Sequence, residues 1–320
     1  MLFLRLFIFC FIFSNWVFAG SKPADPEARQ KSSAAASSQN HEKILLRYKF
    51  QTYEVLRFTA EHKSTIRGNL DGVRELTTHE ARFKKHYRIV HVDAEGNALV
   101  EPVLDQVRMQ IQFDNAPPTV YDSTSQEKVD PKFRHVAASL GKALVKMRIS
   151  PTGKLIKMTS NLNKALQEKM ERHRHGKITD SDPSKNFLIK LPVEAKKIGD
   201  EWAESVQKVR LQVNPGLKRE FTILRTYKLV KIENGVAKIT FVSAISPPIR
   251  DPNLELQTIQ ILPHGEIFFD IDRGRILERT FLVEKQIVGL ANGKGVVHVK
   301  TRRTDRLVQP STVSRGNPVK

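Results

Sequence analysis

From about residue 44 to residue 308, apolar and polar positions alternate with a period of two, run after run, as in strands that bury one face. In YRIVHVD (87–93), Tyr87, Ile89 and His91 fall on one face and Arg88, Val90 and Val92 on the other. A turn at Glu95-Gly96-Asn97 follows, and then a second alternating strand through Ala98 and Val100 to Phe113. The sequence YKLVKIE (227–233), a turn at Asn234-Gly235 and VAKITFVSAI (236–245) repeat that arrangement. Asn-Gly between two alternating runs is a strong hairpin signal, because both turn positions tolerate positive φ.

Two more stretches correspond in the same order. VKMRISPTGKLIKMTS (145–160) matches IFFDIDRGRILERTFL (267–282), which aligns Val145, Met147 and Ile149 with Ile267, Phe269 and Ile271. Upstream, TYEVLRFTAEHKSTI (52–66) stands where GDEWAESVQKVRLQV (199–213) stands later, each with a turn that delivers an acid, Glu54 or Glu201, into a long strand. Three matches in one order predict a unit written twice.

Helical periodicity is scarce. Over 131–144, Asp130 is an N-cap, Pro131 takes the first helical position, and Phe133, Val136, Ala137, Leu140 and Leu144 form one stripe. Weaker helices are expected over 161–175 and 182–189. The fold class predicted is mainly β (α+β): a tandem repeat of antiparallel hairpins forming a strongly curved sheet or half-barrel, with two or three covering helices. One continuous sheet is favoured, since each half alone has open edges and an apolar face with little to cover it.

Residues 1–19 break the pattern. An early base (Arg5), an apolar run from Leu6 to Phe13 and Val17-Phe18-Ala19 predict a signal peptide cleaved after Ala19. Residues 20–43 and 309–320 are small and polar, and read as a disordered linker and tail. The expected organisation is therefore a first β-rich repeat over 44–160, a helical connector over 161–190 and a second repeat over 191–308.

Composition narrows the function. Hydrophobic residues at 40% and charged residues at 27% are those of a globular chain. Cys10 is the only cysteine and lies in the leader, so disulfides, thiolate catalysis and Cys-ligated zinc are excluded from the mature chain. A formal charge of +19 attracts anionic polymers or headgroups. The bases are interleaved with apolar residues, as in KVRLQV (208–213), which is the solvated face of a strand and not a nucleic-acid motif.

No motif supplies a catalytic set. His79 and His86 in HEARFKKH are seven apart, where a zinc helix needs four. HRH (173–175) has no further ligand at suitable spacing and reads as a basic helix end. Ser139 in AASLG lies inside a helix, whereas the nucleophile elbow needs a strand before the serine. Asp270 and Asp272 fall two apart, too few oxygens for calcium. Trp202 is assigned to the core.

The layout LPVEAKKIGDEW (191–202), YKLVKIENGVAKITF (227–241) and GEIFFDIDRGRILERTF (265–281) resembles bacterial secreted proteins grouped as a domain of unknown function. Those proteins have signal peptides and a twofold β-rich repeat. The first copy departs from that pattern in lacking the Gly and Trp around its turn at Thr52-Tyr53-Glu54. A curved antiparallel sheet with covering helices is also similar to periplasmic lipoprotein carriers of half-barrel form.

These observations lead to a non-catalytic, exported cell-envelope protein, periplasmic or extracellular, that binds a lipid or other apolar ligand, or a partner segment, in the concavity of its sheet. The alternative is a structural or interaction protein docking on anionic envelope polymers, and the third reading is a hydrolase of unidentified type. No cofactor, metal, nucleic acid or membrane span after cleavage is expected.

Overall fold

The computed structural model describes residues 42–126, 128–161, 188–214 and 217–308. The expected leader, most of the linker, nearly all of the connector with its two weaker helices and HRH motif, and the tail lie outside the described residues.

Among the described residues, six strands make up the first half: β1 (Val55–Leu70), β2 (Val73–Val92), β3 (Ala98–Phe113), β4 (Thr119–Asp122), β5 (Val145–Ile149) and β6 (Leu155–Ser160). Helix α1 (Arg134–Ser139) precedes β5. The second half comprises β7 (Glu201–Asn214), β8 (Leu217–Glu233), β9 (Val236–Ser246), helix α2 (Pro252–Thr258), β10 (His264–Asp270), β11 (Arg275–Leu290) and β12 (Gly295–Leu307). They form one open, curved, twelve-stranded antiparallel sheet in the order β6-β5-β3-β2-β1-β12-β11-β10-β9-β8-β7, with β4 paired to β3 off the main path.

The tandem repeat is visible in that order. Strands β1-β2-β3-β5-β6 and β7-β8-β9-β10-β11 are the same meander in the same sense, and β12 joins them by pairing with both β1 and β11.

Finer features repeat as well. Val90 is a bulged extra residue between the pairs Ile89–Val100 and His91–Leu99; Val230 is its counterpart between Leu229–Ile239 and Lys231–Lys238. An inserted residue reverses the alternation beyond it. His91 is therefore exposed, not on the face of Tyr87 and Ile89 as strict alternation predicts, and Val92 packs against the core. Lys231 and Ile232 behave alike.

Pairing also shifts one alignment by two residues. Ala98 and Val100 oppose Ile149 and Met147, and Ala237 and Ile239 oppose Phe269 and Ile267. Met147 and Ile149 thus take the places of Ile267 and Phe269.

The helix expected over 131–144 is shorter. A 3-10 turn over Pro131–Phe133, capped by the Asp130 carboxylate on the Lys132 amide, leads into α1, which ends at Ser139. Beyond it Leu140 bridges to Leu104, and the Gly141 amide donates to the Leu104 carbonyl, so the chain leaves the helix to pair with the sheet. Helix α2 was not anticipated. Its signal is the same Asp-Pro start: Asp251 accepts from the amides of Asn253 and Leu254, with Pro252 at the first helical position.

The largest core is shared between the halves. It gathers Leu56, Tyr87, Ile89 and Met147 from the first with Tyr227, Leu229, Ile239 and Phe269 from the second. Two extended straps close it. Leu46 and Tyr48 lie on one and Leu188, Ile189 and Leu191 on the other, all nearly inaccessible. The Lys49 amide donates to Gly274 O in the β10–β11 turn, and the Leu191 amide donates to Thr152 O in the β5–β6 turn. Each strap is thereby held by a hairpin turn of the opposite half from the one it enters.

Candidate functional site

A belt of polar and charged side chains crosses the inner face of the sheet just beyond this core. Strand alternation places it. On β2, Lys85 points inward with Tyr87, two residues on. On β12 the inward positions carry Arg303 and Asp305; on β11 Arg279 pairs directly across from Asp305. The second half carries Arg225 two residues before Tyr227 on β8, so each copy presents an inward cation next to its buried tyrosine.

The geometry is tight. The Lys85 ammonium lies 3.0 Å from Asp305 Oδ2, Arg279 Nη2 lies 2.7 Å from the same oxygen, and Arg303 Nε lies 3.0 Å from Oδ1. Asp305 is 1% exposed, Arg279 3% and Lys85 5%, so these are interior ion pairs and not solvated ones. Burial alone would raise the Asp305 carboxyl; the charges of Arg303, Lys85 and Arg279 overcome it and hold the group well below the usual carboxylate range. Burial pushes Lys85 down to about 7, with Asp305 opposing that fall and the two guanidiniums adding to it.

In the second half, Tyr227 Oη donates to Glu204 Oε1 at 2.6 Å, both groups being buried. Arg225 Nε donates to Ser243 Oγ at 3.1 Å, and its guanidinium sits 4.9 Å from the centre of the Phe241 ring. On the other flank His62 and His79 approach with ring centres 5.0 Å apart. Burial, with the neighbouring His79 and Arg303 charges, lowers His62 to about 3, and burial lowers His79 to about 4. Among the described residues, neither ring nitrogen of His79 has a hydrogen-bond partner. Both imidazoles are therefore neutral at pH 7.

The belt divides the interior. On one side lies the shared core; on the other, three smaller apolar clusters pack separately. One joins Met109 and Ile111 to Phe133 and Val136 beside α1. A second joins Val283 and Ile287 to Val297 and Val299 with Ile259. A third joins Val209, Phe221 and Ile223. On the core side, a cleft bounded by Tyr48, Phe50, Glu54, Leu188 and Arg275 holds room for about one water.

The positions picked out in the sequence do not converge. His79 faces inward on β2, while His86 faces outward and meets Asp105 at 2.8 Å, so the two sit on opposite faces of a strand and not on a helix. Ser139 Oγ donates to the Val136 carbonyl within α1. Asp270 ends β10 and accepts from the Arg273 amide, whereas Asp272 is exposed in the turn that follows. Trp202 is half-buried, stacks on Tyr227 with ring centres 5.4 Å apart, and donates Nε1–H to Lys190 O at 2.9 Å. Among the described residues no three His, Cys, Asp or Glu side chains gather as metal ligands, and no helix is long and apolar enough to cross a membrane.

The belt itself was missed because a lysine or arginine in an alternating run reads as outward-facing. The one available signal was the repeated base-x-Tyr, KHY (85–87) and RTY (225–227).

No protein-family model matches this chain, and no curated protein sequence does. Among solved structures it is similar to a lipovitellin described for its lipid–protein interactions, with 14% identity and a TM-score of 0.45 over 81% of this chain. The chain spans only 25% of the length of that protein. It is also similar to a domain-of-unknown-function family protein from Desulfovibrio piger (11% identity, 76% of this chain and 83% of that one, TM-score 0.14). A third is a putative outer membrane lipoprotein-sorting protein domain from Vibrio parahaemolyticus (9% identity, 82% and 88%, TM-score 0.14).

Proposed function

We propose that this chain is a non-catalytic, exported protein of the cell envelope that holds an apolar ligand or partner segment against the inner face of its sheet. One observation carries the reading: beyond the polar belt, the inner face breaks into three apolar clusters that do not merge with one another among the described residues. A domain normally packs one contiguous core with smaller satellite clusters under long loops, whereas these satellites are built mainly on the long strands of the sheet itself. Each cluster is edged by half-buried side chains, among them Phe83 and Phe113, Ile66 and Leu70, and Leu211 and Ile245. An elongated apolar molecule laid across them gains about 0.8 kcal/mol for each methylene it buries. The leader expected over residues 1–19 supports the envelope assignment.

The test is to purify the full chain, extract it with organic solvent and examine the extract by mass spectrometry, with titration of a fluorescent fatty acid in parallel. Stoichiometric lipid or saturable uptake is expected. A clean extract together with no saturable uptake overturns the proposal.

A further inference from the structure

The outer face of β2, β1, β12 and β11, behind the belt, is a regular lattice whose composition follows from the pairing register. Reading across the four strands, successive rows are Arg74-Asn69-Val296-Val288, Leu76-Arg67-His298-Gln286, Thr78-Thr65-Lys300-Glu284, Glu80-Lys63-Arg302-Leu282, Arg82-Glu61-Thr304-Thr280 and Lys84-Thr59-Arg306-Glu278. Of its four acids, Glu80 is engaged by Lys63, Glu278 by Arg306 and Glu284 by Lys300, and Glu61 stands across from Arg82 beyond ion-pair distance, so the lysines and arginines outnumber the acids eight to four. Arg67, Arg74, Arg82, Lys84 and Arg302 are all exposed, and no carboxylate lies within ion-pair distance of them among the described residues.

From this lattice we propose that the outer face of β2-β1-β12-β11 docks on the surface of an anionic lipid bilayer. Strands about 4.8 Å apart and same-face residues about 7 Å apart along each strand bring Arg74 to Arg67, and Lys84 and Arg302 to Arg82, at roughly a Debye length, so the fields add within each group. Two features favour a bilayer over a soluble polyanion. The rows contain no Phe, Tyr or Trp, the large ring faces that supply the main grip on single-stranded nucleic acid. At the end of the lattice formed by the β1–β2 and β11–β12 hairpins, Leu76 is 36% exposed beside Arg74 and Arg67, and Val288 is 62% exposed on the far strand, an apolar-and-basic combination that an interface accommodates. This end also extends past the flanking strands: β11 from Val283 onward has no partner on β10, and β2 before Thr77 has none on β3. The lattice lies on the opposite face from the ligand-holding clusters and does not depend on them.

The test is cosedimentation of the full chain with vesicles of phosphatidylcholine alone and of equal parts phosphatidylcholine and phosphatidylglycerol, across a salt series. Binding to the anionic vesicles is expected, weakening steeply as salt rises. The triple variant Arg67→Gln, Arg82→Gln, Arg302→Gln, checked for an unchanged unfolding midpoint, is expected to bind on the order of a hundredfold more weakly. A control that removes equal charge elsewhere, Lys208→Gln, Arg210→Gln, Lys228→Gln, is expected to retain binding. Equal binding to neutral vesicles, equal loss in both variants, or preferential capture by soluble polyglutamate or duplex DNA over anionic vesicles each overturns the proposal.

Discussion

Lys85 on β2 and Asp305 on β12 meet at 3.0 Å although 220 positions separate them, with β1 running between their strands. The pair ties the first half of the chain to its last strand, and Arg279 and Arg303 share the same carboxylate. A buried carboxylate serving three cations contributes most through what its removal exposes.

Asp305→Asn is therefore expected to cost about 3–5 kcal/mol, because it strands buried positive charge without its counter-ion. Denaturant unfolding measures it. Lys85→Met relieves a desolvated ammonium and leaves Asp305 with two guanidiniums, and is expected to change stability by less than about 1 kcal/mol. Comparable losses from both variants would contradict this account.

Lys85 also sets an alkaline dependence. With its folded value near 7, the folded chain sheds this proton while the unfolded chain retains it up to the ordinary lysine range. The unfolded state then binds more protons, so this group makes stability rise with pH above about 7. In Lys85→Met that rise is expected to vanish, as read from unfolding midpoints at a series of pH values.

His79 acts on the acid side. The unfolded imidazole takes up a proton near pH 6.5, whereas the folded one resists until about 4. Stability is thus lost as pH falls through that window. His79→Phe keeps the ring volume and removes two nitrogens that have no partner among the described residues, and is expected to flatten the decline; an unchanged pH profile would refute this role.

Tyr53 and Gly199 occupy the same site in the two copies. The Tyr53 amide donates to Ile89 O as the Gly199 amide donates to Leu229 O, and the next residues, Glu54 and Asp200, accept from the amides of Ile89 and Leu229. Tyr53 holds φ at 67° with its ring 85% exposed, so Tyr53→Gly is expected to stabilise by about 1 kcal/mol. A fall in the thermal midpoint would show that the ring has a role this geometry does not reveal.

Gly274 presses on the first strap. A Cβ there would stand 2.5 Å from Lys49 N and 2.6 Å from Arg47 O, at φ 62°. Gly274→Ala is expected to cost more than about 2 kcal/mol and to speed amide exchange over residues 44–50 selectively. Uniform exchange across the sheet would instead mean that the strap is not a separate unit.

Much of the architecture was present in the order of residues alone. Period-two alternation, Asn234-Gly235 and the threefold correspondence between halves determined an antiparallel, repeated β fold, because side-chain period and turn chemistry are local properties. Local pattern also explains what was misread. An alternating base looks outward until a neighbouring strand supplies a carboxylate, so Lys85, Arg279 and Asp305 became a buried cluster only once β1 had paired with both β2 and β12. Likewise Val90 and Val230 became bulges through the strands opposite them, which moved His91 to solvent and Val92 to the core. The tertiary structure decided the joining of the halves through β12, the belt that splits the interior and the closing straps, since each requires residues distant in sequence to satisfy one another's charge or hydrogen bonds.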